Sequence, residues 1–410
     1  GVLQCYDNSG TYSTLSWNIE VPAEKSAALR LDSRAYYTGK LSGEGTLNLY
    51  IPFVRSDLNG DMSTFAGTLN IFSSYSEGTA ELRINNSKGL PGALVNIEAG
   101  VSASNTQGSS LILGALSGTG SLDGSENYQI GAKGIDSEFR GRITAGSVSK
   151  VGPGVLTLSN ANTYPGSTLI NGGTLYADNP SGSATGTGPV SVNNGGMLMG
   201  TGSLSGKVHV ESGGILAPGN SNTGNKLKIN NSLELKAGSI FRVKANPLFK
   251  ISDQVQVSDT ISIHGILEIN NTTTASFSVG DEYKLFDCTN IEGGFSSIIP
   301  EYPGNGMEWD HSDLIEKGVI KVVEASDIQA FRKNEIKIFP NPAGEYLIVQ
   351  MQETGDELNE IYICDLAGKI RVAPFRLTGN ETYIPLEKLL SGIYFVKQKG
   401  QSYKYEFIKK

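Results

Sequence analysis

Short runs of alternating apolar and polar residues, separated by glycine, asparagine and serine, fill most of this 410-residue chain. Residues 46–51 (TLNLYI) and 155–158 (VLTL) are typical, because an apolar side chain recurs at every second position. That period belongs to a β-strand with one buried face. No stretch combines a 3.6-residue apolar period with helix caps, so the pattern predicts an all-β chain with almost no helix.

A glycine pair recurs along the chain. Residues 41–47, 116–122 and 199–204 each contain Gly-x-Gly followed two positions later by leucine, and a second glycine motif (residues 65–69 and 139–143) follows the first two after about 23 residues. Repeats of 20 to 25 residues are too short to bury their own apolar face, which predicts a β-solenoid of about 13 to 16 stacked turns. A pair of β-sandwiches is the rival all-β fold.

Charge and cysteine content exclude several classes of protein. Lys and Arg number 33 against 41 Asp and Glu, and this net charge of −8 argues against nucleic acid as a partner. Cys5, Cys288 and Cys364 lie far apart, which indicates neither a disulfide framework nor a zinc site. The first residues contain neither an initiator methionine nor a signal peptide, so we expect a mature or excised piece of a longer protein.

The chemistry-bearing residues form no familiar catalytic or metal-binding pattern. Residues 57–63 resemble the first half of a calcium loop, but Met62 stands where that loop needs glycine and Thr68 where it needs an acid. Glu138 and Arg140 are expected to form a solvated ion pair. The three histidines are isolated from one another. We therefore expect no catalytic residue, no metal ligand, no cofactor and no enzymatic activity in this chain.

Aromatic residues leave two interpretations open. Trp17, Tyr50, Phe53 and Trp309 are available for stacking on sugars, and they are equally typical of aromatic stacks within a solenoid. A carbohydrate-binding surface therefore remains an alternative.

Composition changes near residue 325, where we place a domain boundary. Residues 1–335 hold 45 of the 51 glycines, and the final 75 residues hold six. The boundaries expected are 1–325 for the solenoid, 326–335 for a polar linker and 336–410 for a C-terminal domain. The C-terminal domain alternates in about seven short strands, which predicts a small immunoglobulin-like β-sandwich.

One stretch of the solenoid resembles a known repeat. Residues 150–175 (KVGPGVLTLSNANTYPGSTLINGGTL) closely resemble the autotransporter-associated β-strand repeat, which is clearest over 148–178. Residues 279–310 are similar to the closing turns of such passengers, which would span 227–323. The resemblance implies a right-handed parallel β-helix, typical of secreted and surface proteins.

The C-terminal domain resembles a second family, the type A C-terminal sorting domain of the type IX (Por) secretion system of Bacteroidetes. The motif residues are Phe339, Pro340, Asn341, Pro342, Asp365, Gly368, Lys369, Gly392, Tyr394, Lys397, Lys409 and Lys410. The resemblance implies as partners the type IX secretion machinery and its C-terminal-signal peptidase. It also implies cleavage in the connector and attachment of the cargo to lipopolysaccharide at the outer membrane.

The two resemblances predict a non-catalytic β-helix protein, secreted or displayed at the cell surface, with an adhesin-like or structural role. Its ligand would be a glycan or a host surface. Two alternatives stay open: the chain is the non-catalytic stalk of a larger secreted polysaccharide-degrading, lyase-like enzyme with an upstream catalytic domain, or it is a carbohydrate-binding module.

Overall fold

A computed structural model describes residues 2–5, 12–32, 34–108, 110–124, 127–325, 337–350, 360–366, 368–376, 381–398 and 404–410. The chain divides into two compact units, Gly1–Val323 and Glu324–Lys410. The expected linker, residues 326–335, lies outside the described residues. The all-β prediction is confirmed. The described residues contain a single α-helix, the four-residue α1 (Leu314–Lys317).

The first unit is built from short strands. In chain order they are β1 (Val2–Cys5), β2 (Ser13–Leu15), β3 (Ile19–Val21), β4 (Ser26–Leu31), β5 (Ala35–Tyr37), β6 (Leu41–Gly43), β7 (Thr46–Ile51), β8 (Arg55–Leu58), β9 (Thr64–Phe65), β10 (Thr68–Ser73), β11 (Ala80–Ile84), β12 (Leu90–Ile97), β13 (Val101–Ser104), β14 (Leu111–Gly118), β15 (Ser121–Leu122), β16 (Asn127–Ile130), β17 (Ser137–Phe139), β18 (Arg142–Ile143), β19 (Ser147–Lys150), β20 (Val155–Leu158), β21 (Thr168–Ile170), β22 (Gly173–Ala177), β23 (Val190–Val192), β24 (Gly196–Gly200), β25 (Ser203–Leu204), β26 (Val208–Val210), β27 (Ile215–Pro218), β28 (Lys226–Ile229), β29 (Leu233–Leu235), β30 (Ile240–Asn246), β31 (Ile251–Ser252), β32 (Gln254–Val257), β33 (Thr260–Ile263), β34 (Ile266–Asn271), β35 (Glu282–Lys284), β36 (Phe286–Asp287), β37 (Asn290–Gly293), β38 (Ser297–Ile299), β39 (Met307–Asp310) and β40 (Val319–Glu324).

Most of these strands stack in parallel on their equivalents one turn along, as predicted for a solenoid. The largest sheet has 23 strands, and a second sheet joins β18, β15, β13, β11, β8, β5 and β2. Equivalent residues lie 18 positions apart between β23 and β26 (Val190 and Val208) and 31 apart between β34 and β38 (Ile266 and Ser297). The solenoid has about 12 turns. The expectation of 13 to 16 was too high because several turns are longer than 25 residues.

Stacked apolar side chains form the core of the solenoid. In β7, Leu47, Leu49 and Ile51 face inward and are buried, while the residues between them face outward. Leu47 pairs with Leu69 and Leu49 with Ile71 of the next turn. Each turn alone would expose this face to water, so burial between neighbouring turns stabilises the stack.

The recurring glycine pair marks a corner where successive turns approach closely. Gly118 has φ +103°, which disfavours any residue with a side chain, and a Cβ there would lie 2.1 Å from the carbonyl oxygen of Ile97 on the preceding turn. Gly43 and Gly200 occupy equivalent corners with φ +100° and +132°. The glycine repeat therefore reflects backbone contact between turns.

The C-terminal end of the first unit is closed by a small antiparallel sheet of β35, β40 and β39. Phe277, Tyr283 and Trp309 pack edge to face beside it, with ring centroids 5.1 to 6.4 Å apart. These buried rings cover the last apolar turn.

The second unit consists of antiparallel strands, as predicted for a small sandwich. They are β41 (Lys337–Phe339), β42 (Tyr346–Gln350), β43 (Glu360–Asp365), β44 (Ile370–Arg376), β45 (Glu381–Pro385), β46 (Gly392–Gln398) and β47 (Lys404–Lys409). One sheet has the order β41-β42-β45 and the other β44-β43-β46-β47. Leu347 and Val349 of the first sheet share a core with Ile363, Val396 and Phe407 of the second.

Candidate functional site

Hydrogen bonds join the first sorting motif, residues 339–342, to the last strand of the chain. Asn341 accepts a hydrogen bond at Oδ1 from the backbone N–H of Ile408 (2.9 Å) and donates one from Nδ2 to the Glu406 carbonyl (3.3 Å). Ala343, two residues further on, donates its backbone N–H to the Ile408 carbonyl (2.7 Å) and accepts at its own carbonyl from the N–H of Lys410 (3.0 Å). Phe339, Pro340 and Pro342 flank Asn341 and are not buried. The Asn341 side chain thus positions the terminal strand.

The second motif forms the turn between β43 and β44. Asp365 accepts the backbone N–H of Lys369 at Oδ1 (3.0 Å), and its backbone oxygen accepts the N–H of Gly368 (2.9 Å). Gly368 has φ +78°, a conformation that favours glycine. The other carboxylate oxygen of Asp365 pairs with Arg371 at 2.7 Å. The aspartate therefore closes this hairpin.

The third motif lies on β46, between the other two. Tyr394 pairs in register with Asp365 of β43, and Gly392 pairs with Lys409 of β47. Lys397 stands opposite Tyr362 on β43. The second and third motifs therefore lie on the four-stranded sheet, and the first, which begins in β41 of the other sheet, is joined to the terminal strand β47 by the hydrogen bonds of Asn341.

Sequence reasoning missed an apolar surface on this unit. Ile393 and Ile408 are cross-strand neighbours with 41% and 44% of their surfaces exposed, and Leu390 nearby in sequence is 83% exposed. On the other sheet, Tyr346 and Tyr383 lie with ring centroids 6.0 Å apart and are also exposed. The available signal was an isoleucine at the outward positions 393 of β46 and 408 of β47, where the alternation of each strand leads one to expect a polar residue. Such exposed apolar groups are typical of interaction surfaces.

The first unit contains no assembled metal site within its described residues. The calcium-like stretch is divided between two sets of contacts: Asp57 accepts a hydrogen bond from Asn85 (3.3 Å), while Asp61 pairs with Lys88 (2.8 Å). Met62, which follows Asp61, is fully buried. The Lys88 ammonium and the Ser63 hydroxyl beside Asp61 hold the pKa of that carboxyl well below its usual range. These are the contacts of a solenoid corner.

Other titratable residues pair on the outside of the solenoid. Glu138 binds Arg140 (2.9 Å) and Ser159 (2.6 Å), and these hydrogen bonds lower the pKa of the glutamate. His209 lies 2.7 Å from Glu234 of the next turn. Such partly exposed pairs stabilise a surface only weakly.

Lys150, inside the repeat-like stretch, is an interior cation that the sequence reasoning did not single out. It is 1% exposed, and its Nζ donates to the carbonyls of Val151 (2.8 Å), Gly152 (2.8 Å) and Gly172 (3.0 Å). Burial lowers its pKa to about 8. A lysine at an inward position of a strand was the signal for it. Its hydrogen bonds join the turn that contains Val151 and Gly152 to the next turn, which contains Gly172.

Some aromatic residues form stacks within the solenoid, and others are exposed and available to stack on sugars. Tyr50 stacks on Phe72 of the next turn at 5.1 Å, and Trp309 is buried in the closing cluster. Trp17 and Phe53, by contrast, are exposed.

Among the described residues, no helix has both the length and the apolar character needed to cross a membrane.

Comparisons with known proteins identify two segments. Residues 148–177 match the family model of the passenger-associated-transport-repeat, and residues 337–410 match that of the secretion system C-terminal sorting domain. A segment of 75 residues is 48% identical to "Adhesin BmaC autotransporter" of Brucella suis biovar 1 (strain 1330), covering 18% of this chain and 2% of that protein. The chain thus spans a very small part of this curated relative.

Both resemblances read from the residues are confirmed by these matches. A sorting domain implies a secretion machinery as a partner. The chain is therefore a secreted or cell-surface protein that joins a parallel β-solenoid, carrying an autotransporter-type passenger repeat, to a C-terminal sorting domain.

Proposed function

We propose that this chain is a non-catalytic, adhesin-like surface protein whose second unit directs its export through the type IX secretion system. The observation that carries the proposal is that the second and third sorting motifs lie on one four-stranded sheet and that Asn341 joins the first motif by two hydrogen bonds to the last strand of that sheet, which ends at Lys409. A signal assembled in this way is readable only after the unit folds. The bacterium would then belong to the Bacteroidetes.

The adhesin-like role is supported by the first unit. Its stacked turns offer a long outward surface without a clustered set of metal-ligating residues among those described. Solenoids use such extended surfaces to bind partners. The relative that matches 75 residues is named an adhesin. The ligand of this chain would accordingly be a host surface or a glycan.

The remaining partners follow from the export route. The secretion machinery would bind the folded second unit, with Ile393 and Ile408 as an apolar contact, and the C-terminal-signal peptidase would separate it from the solenoid. The solenoid would then be anchored to lipopolysaccharide at the outer membrane.

Surface display of variants in a Bacteroidetes host tests the export route. Removal of residues 337–410 should leave the solenoid inside the cell. Asn341→Ala should do the same, because the terminal strand loses both side-chain hydrogen bonds. Gln350→Ala is the matched control and should be displayed normally, because it removes a side-chain hydrogen bond of the same unit (to Glu381, 3.1 Å) that does not involve the terminal strand. Normal display of the deletion variant would contradict the export role of this unit.

A carbohydrate-binding role is a second candidate, favoured by the exposed rings of Trp17 and Phe53. Ring faces of this kind can stack on sugars. A glycan array probed with the full chain and with Trp17→Ala tests it, and binding that the substitution leaves unchanged would remove Trp17 from the site. The related alternative, a stalk of a larger polysaccharide-degrading enzyme, predicts that the native protein is much larger than 43.5 kDa.

A further inference from the structure

An apolar tip projects from the hairpin between β30 and β31. Leu248 and Phe249, at its end, are 67% and 69% exposed. The hairpin includes the antiparallel pairing of Asn246 with Ile251, within a sheet whose other strand pairings among the described residues are parallel. Two adjacent large apolar side chains on such a turn expose surface that folding alone would bury.

Polar groups hold the base of the hairpin in place. Asn246 accepts hydrogen bonds at Oδ1 from the backbone N–H groups of Leu248 (3.0 Å) and Phe249 (3.2 Å). The Thr272 hydroxyl donates to the Ala245 carbonyl on β30 (3.2 Å). Because the turn is fixed, its two apolar side chains are presented to a partner at little ordering cost.

The base of the hairpin also carries paired charges. Lys250 lies 2.9 Å from the carboxylate of Asp281, and Lys244 lies 2.5 Å from that of Asp253. Both aspartates are buried. Since each cation is neutralised, the tip offers a partner apolar contact and no basic patch of the kind that attracts anionic lipids.

The size and shape of the tip favour a lipid bilayer over a protein as its partner. A stable protein interface buries roughly 800 Å² per partner, whereas two side chains about two-thirds exposed supply no more than about 300 Å². A protein would also need a cavity that matches the projecting tip. A bilayer has neither requirement, because lipid closes around an inserted apolar group and binding strength scales with the apolar area buried.

The length of the tip matches the headgroup layer of a phospholipid leaflet. Leu248 and Phe249 lie two and three residues beyond Asn246, and three residues span at most about 10 Å. Interfacial proteins bury their apolar groups about 5 to 10 Å into the boundary between headgroups and acyl chains. The sugar chains of lipopolysaccharide would hold so short a tip away from the acyl chains. The membrane that fits is therefore the phospholipid membrane of another cell.

We propose that the Leu248–Phe249 tip inserts into the outer phospholipid leaflet of a target cell. Insertion removes both side chains from water while Asn246 and Lys250 stay among the headgroups. One contact is weak, since even a myristoyl chain gives a binding constant of only about 10⁴ M⁻¹, and many copies on one cell would strengthen it through multivalency. The proposal rests on the adhesin-like role for its cellular setting, whereas insertion itself depends neither on that role nor on the export route.

Cosedimentation of the full chain with phosphatidylcholine vesicles tests the proposal. The bound fraction of the unaltered chain should rise with lipid concentration. Phe249→Asp and Leu248→Asp should each weaken binding by about tenfold or more. Ile135→Asp is the matched control, since Ile135 is an exposed apolar residue on another turn, and it should bind like the unaltered chain. Vesicles that also contain phosphatidylglycerol should bind no more tightly, because the charges at the base are paired.

Fluorescence distinguishes insertion from adsorption at the vesicle surface. The emission of Phe249→Trp, after subtraction of the unaltered chain, should shift to shorter wavelength on addition of vesicles and should be quenched by lipids with brominated acyl chains. Ile135→Trp, the matched control, should show neither change. Emission of Phe249→Trp that stays unshifted and unquenched would overturn insertion.

Three further results would overturn the proposal. These are failure of the unaltered chain to bind vesicles, undiminished binding by Phe249→Asp and Leu248→Asp, and self-association without vesicles that Phe249→Asp abolishes, which would assign the tip to a second copy. Binding to cultured animal cells separates this proposal from the adhesin-like role. If Phe249→Asp binds the cells as well as the unaltered chain does, the adhesin-like role stands and the tip proposal fails. If the unaltered chain binds vesicles through its tip but binds no cells, the adhesin-like role fails and insertion stands.

Discussion

Replacement of Gly118 by alanine should disrupt the stack of turns locally. Gly118 ends β14 at φ +103°, and the added Cβ would lie 2.1 Å from the Ile97 carbonyl oxygen and 2.6 Å from its carbonyl carbon. Both are backbone atoms of the preceding turn, which also binds the chain through hydrogen bonds from Thr119 and Gly120 to that same carbonyl. The clash therefore cannot be relieved by a change of rotamer.

The magnitude follows from two contributions. The backbone conformation costs an alanine about 1 to 2 kcal/mol. Forcing an extra carbon into a packed contact costs about 1 to 3 kcal/mol more. We expect the free energy of local opening to fall by about 2 to 5 kcal/mol. The control is Gly195→Ala, because Gly195 also has positive φ (+80°) but no atom within 4 Å of the added Cβ. It should lose only the conformational part.

Native-state hydrogen exchange is the assay, because it measures opening turn by turn in a chain whose turns contact only their neighbours. Gly118→Ala should reduce protection in β12, β14 and β17 while β30 and β34 stay protected. Equal losses in Gly118→Ala and Gly195→Ala would refute the claim that backbone contact between turns dictates the glycine repeat.

Three further outcomes are expected. Lys244→Met should lower the free energy of unfolding by about 3 kcal/mol in a urea titration, because it leaves the buried Asp253 carboxylate without its cation. The double variant Lys244→Met/Asp253→Asn should lose less stability than Lys244→Met alone, and an equal or larger loss would contradict the prediction. The pKa of Lys150 is about 8 in the folded chain and near 10.5 when the chain is unfolded. Between these two values the unfolded chain binds more protons, so the free energy of unfolding should rise with pH across that window. Lys150→Met should lack this rise, and identical pH profiles of the two chains would contradict the prediction. Tyr164→Phe should cost about 1 kcal/mol in thermal unfolding, since it removes a buried 2.6 Å hydrogen bond to Thr168, and an unchanged melting temperature would be the contrary result.

The architecture was largely predictable because its determinants are local. The period of two in β7 and the glycine pairs at Gly43 and Gly118 report on strand burial and corner geometry directly. The number of turns was not predictable, since residues 272–281 lengthen a late turn without strand periodicity. Insertions of this kind extend a loop and leave the stacked strands in register.

The functional surfaces were less accessible from sequence. The residues of the motifs that resemble a sorting domain could be named from the sequence, but the hydrogen bond from the Ile408 N–H to Asn341 joins residues 67 positions apart. Leu248 and Phe249 follow Asn246-Pro247, which is a turn signal, but their exposure became evident only from the antiparallel hairpin that carries them. Lys150 breaks the apolar pattern of its strand, and its three carbonyl partners belong to corners whose positions depend on the winding of the chain.

The most direct test of the account is the location of the native protein, followed with antibody raised against residues 146–325. In intact cells of the source bacterium, the account predicts that this antibody binds the cell surface and that added protease removes its target. An antibody target that stays in the periplasm or cytoplasm, protected until the cells are broken, would contradict a solenoid exported by its C-terminal sorting domain.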